Sequence, residues 1–322
     1  VNLLSHLPFS WPQLQQLLEE IETPDAEEKV TTCRVESKAT PDELSKVLTD
    51  IREIRGMTDN ESYIIRSVAN GTLLRITYSE VNHKSTRVLQ RIHKEMEILI
   101  ESNEEGFELR FPENKRAHKI VEKISNLLPV PEGEERPQRQ EVELSGIIDP
   151  LVRSDFFIRL MDNMEGFRRR DVIDLKMNRI KPDSNGDDDD DADEVEQATQ
   201  ELQGLVKKTS LFGESLLISP EYRRLRDDGF GIHKAIWEAM EDSGAGRIFE
   251  IEAQFRNPDE STGFCYLVRG VQNYDGDGNL EASKKTVPMD DRKRLNSKIE
   301  YAAYEALRLI KLQLTETQSD ED

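Results

Sequence analysis

The chain has 322 residues, of which 65 are acidic and 44 are basic, so its formal net charge is −21. This excess of carboxylates argues against general affinity for nucleic acid or anionic membranes, because phosphate binding depends on lysine and arginine. Charged residues make up 34% of the chain and arginine outnumbers lysine, which fits either an acidic mesophilic protein or a protein of a high-salt cytoplasm.

Cysteine content and hydropathy indicate the cellular compartment in which the protein is expected. Cys33 and Cys265 lie in different halves of the chain, so no disulfide framework is predicted. No apolar run approaches the roughly 18 residues that a membrane span requires. The first residues also lack the basic and apolar segments of a secretory signal. We therefore expect a cytoplasmic protein that is not associated with a membrane.

The first half of the sequence predicts a small α/β domain over residues 1–128. Thr40 and Glu43 have the spacing of a capping box, which predicts a helix start. Asn70-Gly71, between two β-rich runs, is typical of a type I′ hairpin turn. In chain order we expect a helix after Ser10, a strand at 29–36, the helix from Thr40, the hairpin, a helix at 86–101, a strand at 107–111 and a helix ending at Leu127.

Residues 129–140 contain three prolines and a glycine and predict a linker. The second half, residues 141–314, predicts an antiparallel sheet packed by helices, so the whole chain reads as an α+β protein of two domains. Its expected elements are a strand at 141–147, a helix from Asp149-Pro150, a strand at 171–180, a helix at 195–205, strands at 209–218, 232–239, 247–256 and 264–274, and a long helix at 290–314. Residues 315–322 are expected to form a polar tail, and no repeat is found at solenoid periods.

Nine carboxylates fall within residues 183–196, which predict a disordered acidic insertion. Four of the residues there have the spacing of positions one, three, five and twelve of an EF-hand loop, namely Asp183, Asn185, Asp187 and Glu194. The sixth position, which requires glycine, is Asp188, and a strand rather than a helix is expected before the loop. Loose condensation of cations on a solvated loop is the alternative interpretation. A divalent cation is the only cofactor that the sequence suggests.

The segment 250–254 is the candidate catalytic site. Alternation along a strand puts Glu250, Glu252 and Gln254 on one face. Nucleases of the PD-(D/E)xK type use a carboxylate on such a strand to bind Mg²⁺ together with an upstream aspartate, and a lysine two residues later helps to activate water. Here Gln254 stands at the lysine position, and the upstream candidates are Asp227, Asp228 and Asp242. The alternative interpretation is the solvent face of a half-buried strand.

Basic clusters in the second half are candidates for an anion-binding site. They are Arg168-Arg169-Arg170, Lys207-Lys208, Arg223-Arg224-Arg226 and Arg292-Lys293-Arg294. If folding brought two of them together, they could form a groove for phosphate or nucleic acid. The alternative is that each forms ion pairs with the abundant carboxylates.

Sequence signatures of nucleophilic catalysis and of metal binding are otherwise weak. The five histidines form no HExxH pair, and Cys265 lies in an apolar run that favours a buried, inert thiol. The sequence therefore favours a non-catalytic interaction or regulatory subunit of a larger assembly, with a protein partner. The alternative is a metal-dependent nuclease or nucleic-acid-processing subunit in which Glu252 binds the metal and Arg223 and Arg224 hold phosphate.

Overall fold

The computed structural model describes residues 28–56, 61–69, 71–81, 91–130, 139–179, 208–242, 246–275 and 278–321. These residues form a mixed α+β fold, in which helices pack against one antiparallel sheet of 11 strands. The fold class predicted from the sequence is therefore confirmed at this level. The helices predicted after Ser10 and at 195–205, and the acidic insertion, lie outside the described residues.

The strands, numbered in chain order, are β1 (Val30–Glu36), β2 (Ser62–Val68), β3 (Gly71–Val81), β4 (Arg91–Ser102), β5 (Gly106–Pro112), β6 (Arg139–Glu141), β7 (Phe167–Arg179), β8 (Lys208–Phe212), β9 (Phe230–Glu241), β10 (Ile248–Asn257) and β11 (Thr262–Gln272). The helices are α1 (Pro41–Gly56), α2 (Lys115–Leu127), α3 (Pro150–Asp162), α4 (Pro220–Asp227) and α5 (Met289–Glu321). A short 3-10 helix, Leu216–Ile218, precedes α4.

Local sequence signals set several of these boundaries. The Thr40 hydroxyl accepts from the Glu43 backbone N–H at 3.3 Å, and the Glu43 carboxylate accepts from the Thr40 backbone N–H at 2.8 Å, which is the predicted capping box. Val68 pairs with Gly71 at the end of the β2–β3 hairpin. A Cβ at Gly71 would lie 2.1 Å from the carbonyl oxygen of Ile100, so the approach of β4 requires glycine there.

The sheet joins two halves that repeat one order of elements about β1. Its strand order is β2-β3-β4-β5-β1-β11-β10-β9-β7-β8, and β6 pairs with β1 beside this path. In the first half, α1 is followed by β2 to β5 and α2. In the second half, α3 is followed by β7, β9, β10, β11 and α5, with β8 and α4 inserted between β7 and β9. Because β5 and β11 flank β1 and are both antiparallel to it, this repeated order gives the two halves an approximately two-fold topology about β1.

The helices of the two halves lie on opposite faces of this sheet. Leu109 and Phe111 of β5 belong to the core that α1 and α2 cover, whereas Arg110 between them reaches Glu300 of α5. Since neighbouring side chains of a strand point to opposite faces, α5 and α2 must lie on different sides of the sheet. Each half-sheet therefore has one face that the helices of its own half do not cover.

Two separate hydrophobic clusters form the core. One cluster consists of residues between Cys33 and Leu128, and the other consists of residues between Val142 and Ile310. Aromatic side chains dominate the second cluster, where Phe156, Phe157, Phe255 and Phe264 meet in edge-to-face and tilted contacts. Each half thus buries most of its own apolar side chains, while β1 serves both, with Cys33 and Val35 in the first cluster and Val30 against the second.

A buried polar contact connects the halves. The Arg110 guanidinium donates from Nε to Oε1 of Glu300 at 2.6 Å and from Nη2 to the Ser297 hydroxyl at 3.0 Å. The Tyr266 hydroxyl donates to the same Glu300 carboxylate. Burial disfavours the charged guanidinium, but the hydrogen bonds with Glu300 outweigh it and raise the pKa of Arg110. We call Arg110, Tyr266 and Glu300 the inter-half clamp.

The helix predicted at 86–101 is wrong, because residues 91–102 form β4. Met96, Ile98 and Ile100 are buried in alternation with exposed or half-buried neighbours, and this period of two is that of a strand. Strand β4 pairs with β3 along its whole length, and this pairing shows that the segment is a strand and not a helix.

Further boundaries differ from prediction. The strand expected at 209–218 ends at Phe212, and the 3-10 helix Leu216–Ile218 follows it. The strand expected at 141–147 ends at Glu141, because β6 is only three residues long and the chain then turns away. Helix α4 was not predicted, although Ser219 caps it and Pro220 begins it. Helix α5 continues to Glu321, so most of the expected polar tail is helical.

Helical periodicity of the sequence predicts that Leu127 and Leu151 are buried, but both are largely exposed, Leu127 at the end of α2 and Leu151 at the start of α3. Leu128, one residue further along the chain, is buried in place of Leu127. Both misplaced leucines lie at helix ends, where the chain departs from helical periodicity.

Candidate functional site

Glu250 and Glu252 lie on the face of β10 that α3 and α5 do not cover. Phe249, Ile251 and Ala253 belong to the hydrophobic core, so the predicted alternation of the strand is confirmed. The two carboxylates are nevertheless only 8% and 5% exposed, which differs from the expected solvent face. They are buried by long cationic side chains rather than by a helix.

Four cations surround these two carboxylates. Oε1 of Glu252 lies 2.6 Å from the Lys29 ammonium and 2.7 Å from the Lys234 ammonium. Arg269 bridges the pair, with Nε 3.2 Å from Glu250 and Nη1 3.5 Å from Glu252. The Lys284 ammonium contacts the second oxygen of Glu250. We call Lys29, Lys234, Glu250, Glu252, Arg269 and Lys284 the charged cluster.

Electrostatics keep Glu252 ionised in this cluster. Burial raises its pKa, but hydrogen bonds with Lys234 and Lys29 lower it, and the net direction is downward. Both oxygens of Glu252 therefore face cations. Among the described residues, no three His, Cys, Asp or Glu side chains are grouped so that they could hold a metal ion. Gln254, the third catalytic candidate, is half-buried on the same face and lies opposite Cys265 in the pairing of β10 with β11.

A further carboxylate lies on the same face two strands away. Asp174 of β7, Ile236 of β9 and Glu252 of β10 are in register across three adjacent strands. Asp174 is 7% exposed, and its Oδ1 has no hydrogen-bond partner among the residues that the structure describes. Burial raises its pKa, against the opposing effect of Lys234. Sequence reasoning missed Asp174 because only the pairing of β7 with β9 aligns it with Glu252.

Lysine side chains also lower the pKa of a histidine on this sheet. Burial, together with Lys208, Lys176 and Lys234, lowers the pKa of His233 to about 4, whereas Asp259 opposes the shift. The imidazole is therefore neutral at physiological pH. Sequence reasoning treated His233 as an ordinary strand residue, and its spacing carried no signal for this environment.

The run Arg168-Arg169-Arg170, an anion-binding candidate, is divided between the two sheet faces. Nε of Arg169 lies 3.1 Å from Asp162 of α3, whereas Nη1 of Arg170 lies 2.7 Å from Glu238 on the opposite face. Arg168 lies 4.0 Å from Asp242. Alternation along β7 prevents the three guanidinium groups from converging on one anion.

Several of the other arginine candidates also lie beside carboxylates. Arg223 and Arg224 are exposed on α4, and Nε of Arg224 lies 3.9 Å from Asp228. In the cluster Arg292-Lys293-Arg294, Arg294 contacts Glu241 at 2.6 Å and Asp291 at 3.2 Å. These contacts match the ion-pair alternative for the basic clusters.

Two sets of residues remain, the calcium-loop candidates and the two cysteines. The calcium-loop residues Asp183, Asn185, Asp187 and Glu194 lie outside the described residues. Burial raises the pKa of Cys33 to about 12 and that of Cys265 to about 11, so both thiols are protonated and unreactive at neutral pH.

A cleft of about 320 Å³ opens where α5 passes over β1 and β6. Tyr301 is 58% exposed there and Leu312 is 47% exposed. The Arg34 guanidinium stacks 3.7 Å above the Tyr304 ring, whose hydroxyl donates to the carbonyl of Gln140 at 3.1 Å. We call this the junction cleft; its lining residues are Arg34, Gln140, Tyr301, Tyr304, Glu305, Leu307, Arg308, Lys311, Leu312 and Thr315.

Sequence reasoning missed the junction cleft because it followed only the buried stripe of the long helix. Tyr301, Arg308 and Leu312 recur at intervals of seven and four residues, which is a second stripe on one helix face. Two large apolar side chains on the otherwise polar face of α5 were the available signal. The opposite wall, from β1 and β6, could not be deduced from the sequence.

Comparison of the chain with protein-family models, with curated proteins and with solved structures finds no match. Within the described residues, no helix has the length and apolar character needed to cross a membrane. Functional inference therefore depends on the charged cluster and the junction cleft.

Proposed function

We propose that this chain is a non-catalytic interaction or regulatory subunit that binds a partner protein in the junction cleft. The observation that carries the proposal is the exposure of Tyr301 and Leu312 beside Arg308 in one concave surface. Tyrosine and arginine are enriched at the energetic centres of protein interfaces. Large apolar side chains exposed together mark interaction sites more often than isolated ones.

The charged cluster supports a structural role for Glu250 and Glu252. Each carboxylate is neutralised by at least two cationic side chains, and a Mg²⁺ ion at Glu252 would have to displace the ammonium groups of Lys29 and Lys234. A buried carboxylate held by cations stabilises the sheet face only while these partners remain.

The nuclease alternative uses the same carboxylate and has one supporting observation. Asp174 and Glu252 are in register across β9, with Lys234 on the intervening strand. Incubation of plasmid DNA with the chain and Mn²⁺ tests it. We expect no cleavage. Cleavage that is lost in the variant Glu252→Ala but kept in the control variant Glu97→Ala would contradict the proposal.

We further propose that the two halves, residues 1–128 and 141–314, act as two domains that together form the binding surface. Their separate hydrophobic clusters support the division. The junction cleft uses Arg34 from the first half and α5 from the second. The cytoplasmic location stays a prediction of the sequence.

Affinity purification from the native host tests the interaction. The bait is compared with the variant Tyr301→Ala/Leu312→Ala and with Phe212→Ala/Ile218→Ala, which removes two exposed apolar side chains outside the cleft. We expect a stoichiometric protein partner, resistant to nuclease treatment, that the cleft variant loses and the control variant retains. Equal recovery by all three baits would contradict the proposal.

A further inference from the structure

The charge of the junction cleft is opposite to that of the whole chain. Arg34, Arg308 and Lys311 line it, against the single carboxylate of Glu305. The chain as a whole has a formal net charge of −21. Glu305 pairs with Arg308 and Glu108 lies 3.7 Å from Arg34, so the three cations outnumber these carboxylates by one, whereas carboxylates outnumber cations in the chain as a whole. Complementary charge at an interface selects partners more than it adds affinity.

The apolar and cationic residues of the cleft alternate along α5. Tyr301, Glu305, Arg308, Leu312 and Thr315 lie on one face of the helix, at spacings of three and four residues. The stripe from Tyr301 to Thr315 extends for about 21 Å at the rise of an α-helix. Two exposed apolar side chains therefore flank Arg308, while Arg34 and Lys311 add positive charge beside the same stripe.

Arg34 is held in place for contact with a ligand. Its guanidinium stacks on Tyr304, which fixes one flat face, and its Nε lies 3.7 Å from Glu108, beyond hydrogen-bond distance. A guanidinium that is already ordered loses less side-chain entropy when it binds a carboxylate. Arg308 is similarly oriented by Glu305, through hydrogen bonds from Nε at 2.9 Å and from Nη2 at 2.6 Å.

We propose that the junction cleft binds an acidic peptide segment of the partner, in which aspartate or glutamate side chains stand beside a leucine, isoleucine or phenylalanine. This inference rests on the proposed function and adds the chemistry of the partner. The carboxylates of the segment contact Arg308, Lys311 and Arg34, and its apolar side chain packs against Tyr301 or Leu312, which lie about 16 Å apart along the helix. A basic segment, which the overall charge would attract at long range, meets like charge inside the cleft.

Selection from a displayed library of random 12-residue peptides tests the inference, with the full chain as target. We expect the selected peptides to be enriched in Asp and Glu together with Leu, Ile or Phe. The charge-reversal variant Arg308→Glu/Lys311→Glu should weaken their binding by about tenfold or more, as loss of complementary charge at close range predicts. The matched control is Arg223→Glu/Arg224→Glu on α4, which should change their Kd by less than about twofold because solvent screens charges that lie beyond about 8 Å.

Selection of neutral or basic peptides, no enrichment above an unrelated target, or equal effects of the two variants would overturn the inference. Thermal unfolding of each variant confirms that it folds. The outcome separates the two proposals. A partner captured by the charge-reversal variant but lost by Tyr301→Ala/Leu312→Ala contradicts the acidic chemistry and leaves the interaction function standing. A partner retained by both variants contradicts the interaction function itself.

Discussion

At the scale of single residues, the second half-sheet carries charges that are stable only as a group. Glu252 is almost fully buried, and removal of an ionised carboxylate from water is costly unless cations and hydrogen bonds replace the water. Lys29, Lys234 and Arg269 do so from three different segments of the chain. A substitution that removes one charged side chain of this cluster leaves the remaining side chains with unbalanced charge.

Replacement of Glu252 by glutamine should lower the free energy of unfolding by about 1–3 kcal/mol, because three cations lose their buried counter-charge but can partly recover water. Equilibrium unfolding in urea measures this change. The matched control is Glu97→Gln, which removes an exposed ion pair with Arg75 and should cost less than about 1 kcal/mol. Equal costs for the two variants would show that the charged cluster contributes no more than a surface pair.

His233 should make stability depend on pH. Its pKa is about 4 in the folded chain, against about 6.5 when the chain is unfolded. Between these values the unfolded state binds more protons, so stability falls as pH decreases from 6.5 to 4. We expect a loss of about 1–2 kcal/mol over this window, less than the full shift implies because the ring is partly exposed. In His233→Gln the slope in this window should be smaller, and an unchanged slope would contradict the assignment.

At the scale of elements, the inter-half clamp fixes α5 on β5 and β11. Arg110 comes from β5, Tyr266 from β11 and Glu300 from α5, so one carboxylate joins three elements. The approximate two-fold arrangement leaves this face of β5 without a helix of its own half. Helix α5 covers part of it, and the clamp lies beneath that overlap.

Replacement of Arg110 by methionine should cost about 3–5 kcal/mol, because Glu300 is left buried without its cation. The double variant Arg110→Met/Glu300→Leu should recover part of this loss, since a buried ion pair and an apolar pair of similar volume are often nearly equivalent, while the Tyr266 hydroxyl loses its buried acceptor. Urea unfolding of the single and double variants measures the coupling. A double variant less stable than the single variant would contradict this account of the clamp.

The elements also show where sequence reasoning succeeds. The capping box at Thr40 and the hairpin of β2 and β3 were predictable because both depend on neighbouring residues, although Gly71 lies in β3 opposite Val68 rather than in the predicted turn. Strand β4 was mistaken for a helix because its apolar residues fit both periods, and only pairing with β3 distinguishes them. Only part of the charged cluster could be predicted from the sequence. The alternation at Glu250 and Glu252 was readable, but Lys29 and Arg269 are brought there by long-range pairing of β1, β10 and β11.

At the scale of the whole molecule, two similar half-sheets meet at β1 and expose opposite faces. No repeat was apparent in the sequence, because the halves share an order of elements rather than a pattern of residues. The junction cleft exists only where the halves meet, since Arg34 comes from β1 and its other wall from α5. A surface built from both halves is consistent with a chain that recognises a partner.

Site-specific photo-crosslinking tests the central claim most directly. The full chain is expressed in its native host with benzoylphenylalanine in place of Tyr301 and, in a separate control, in place of Phe212, and both are irradiated. The account predicts one discrete protein adduct from position 301 that resists nuclease and is missing from position 212. No adduct at position 301, an adduct that nuclease removes, or the same adduct from both positions would contradict it.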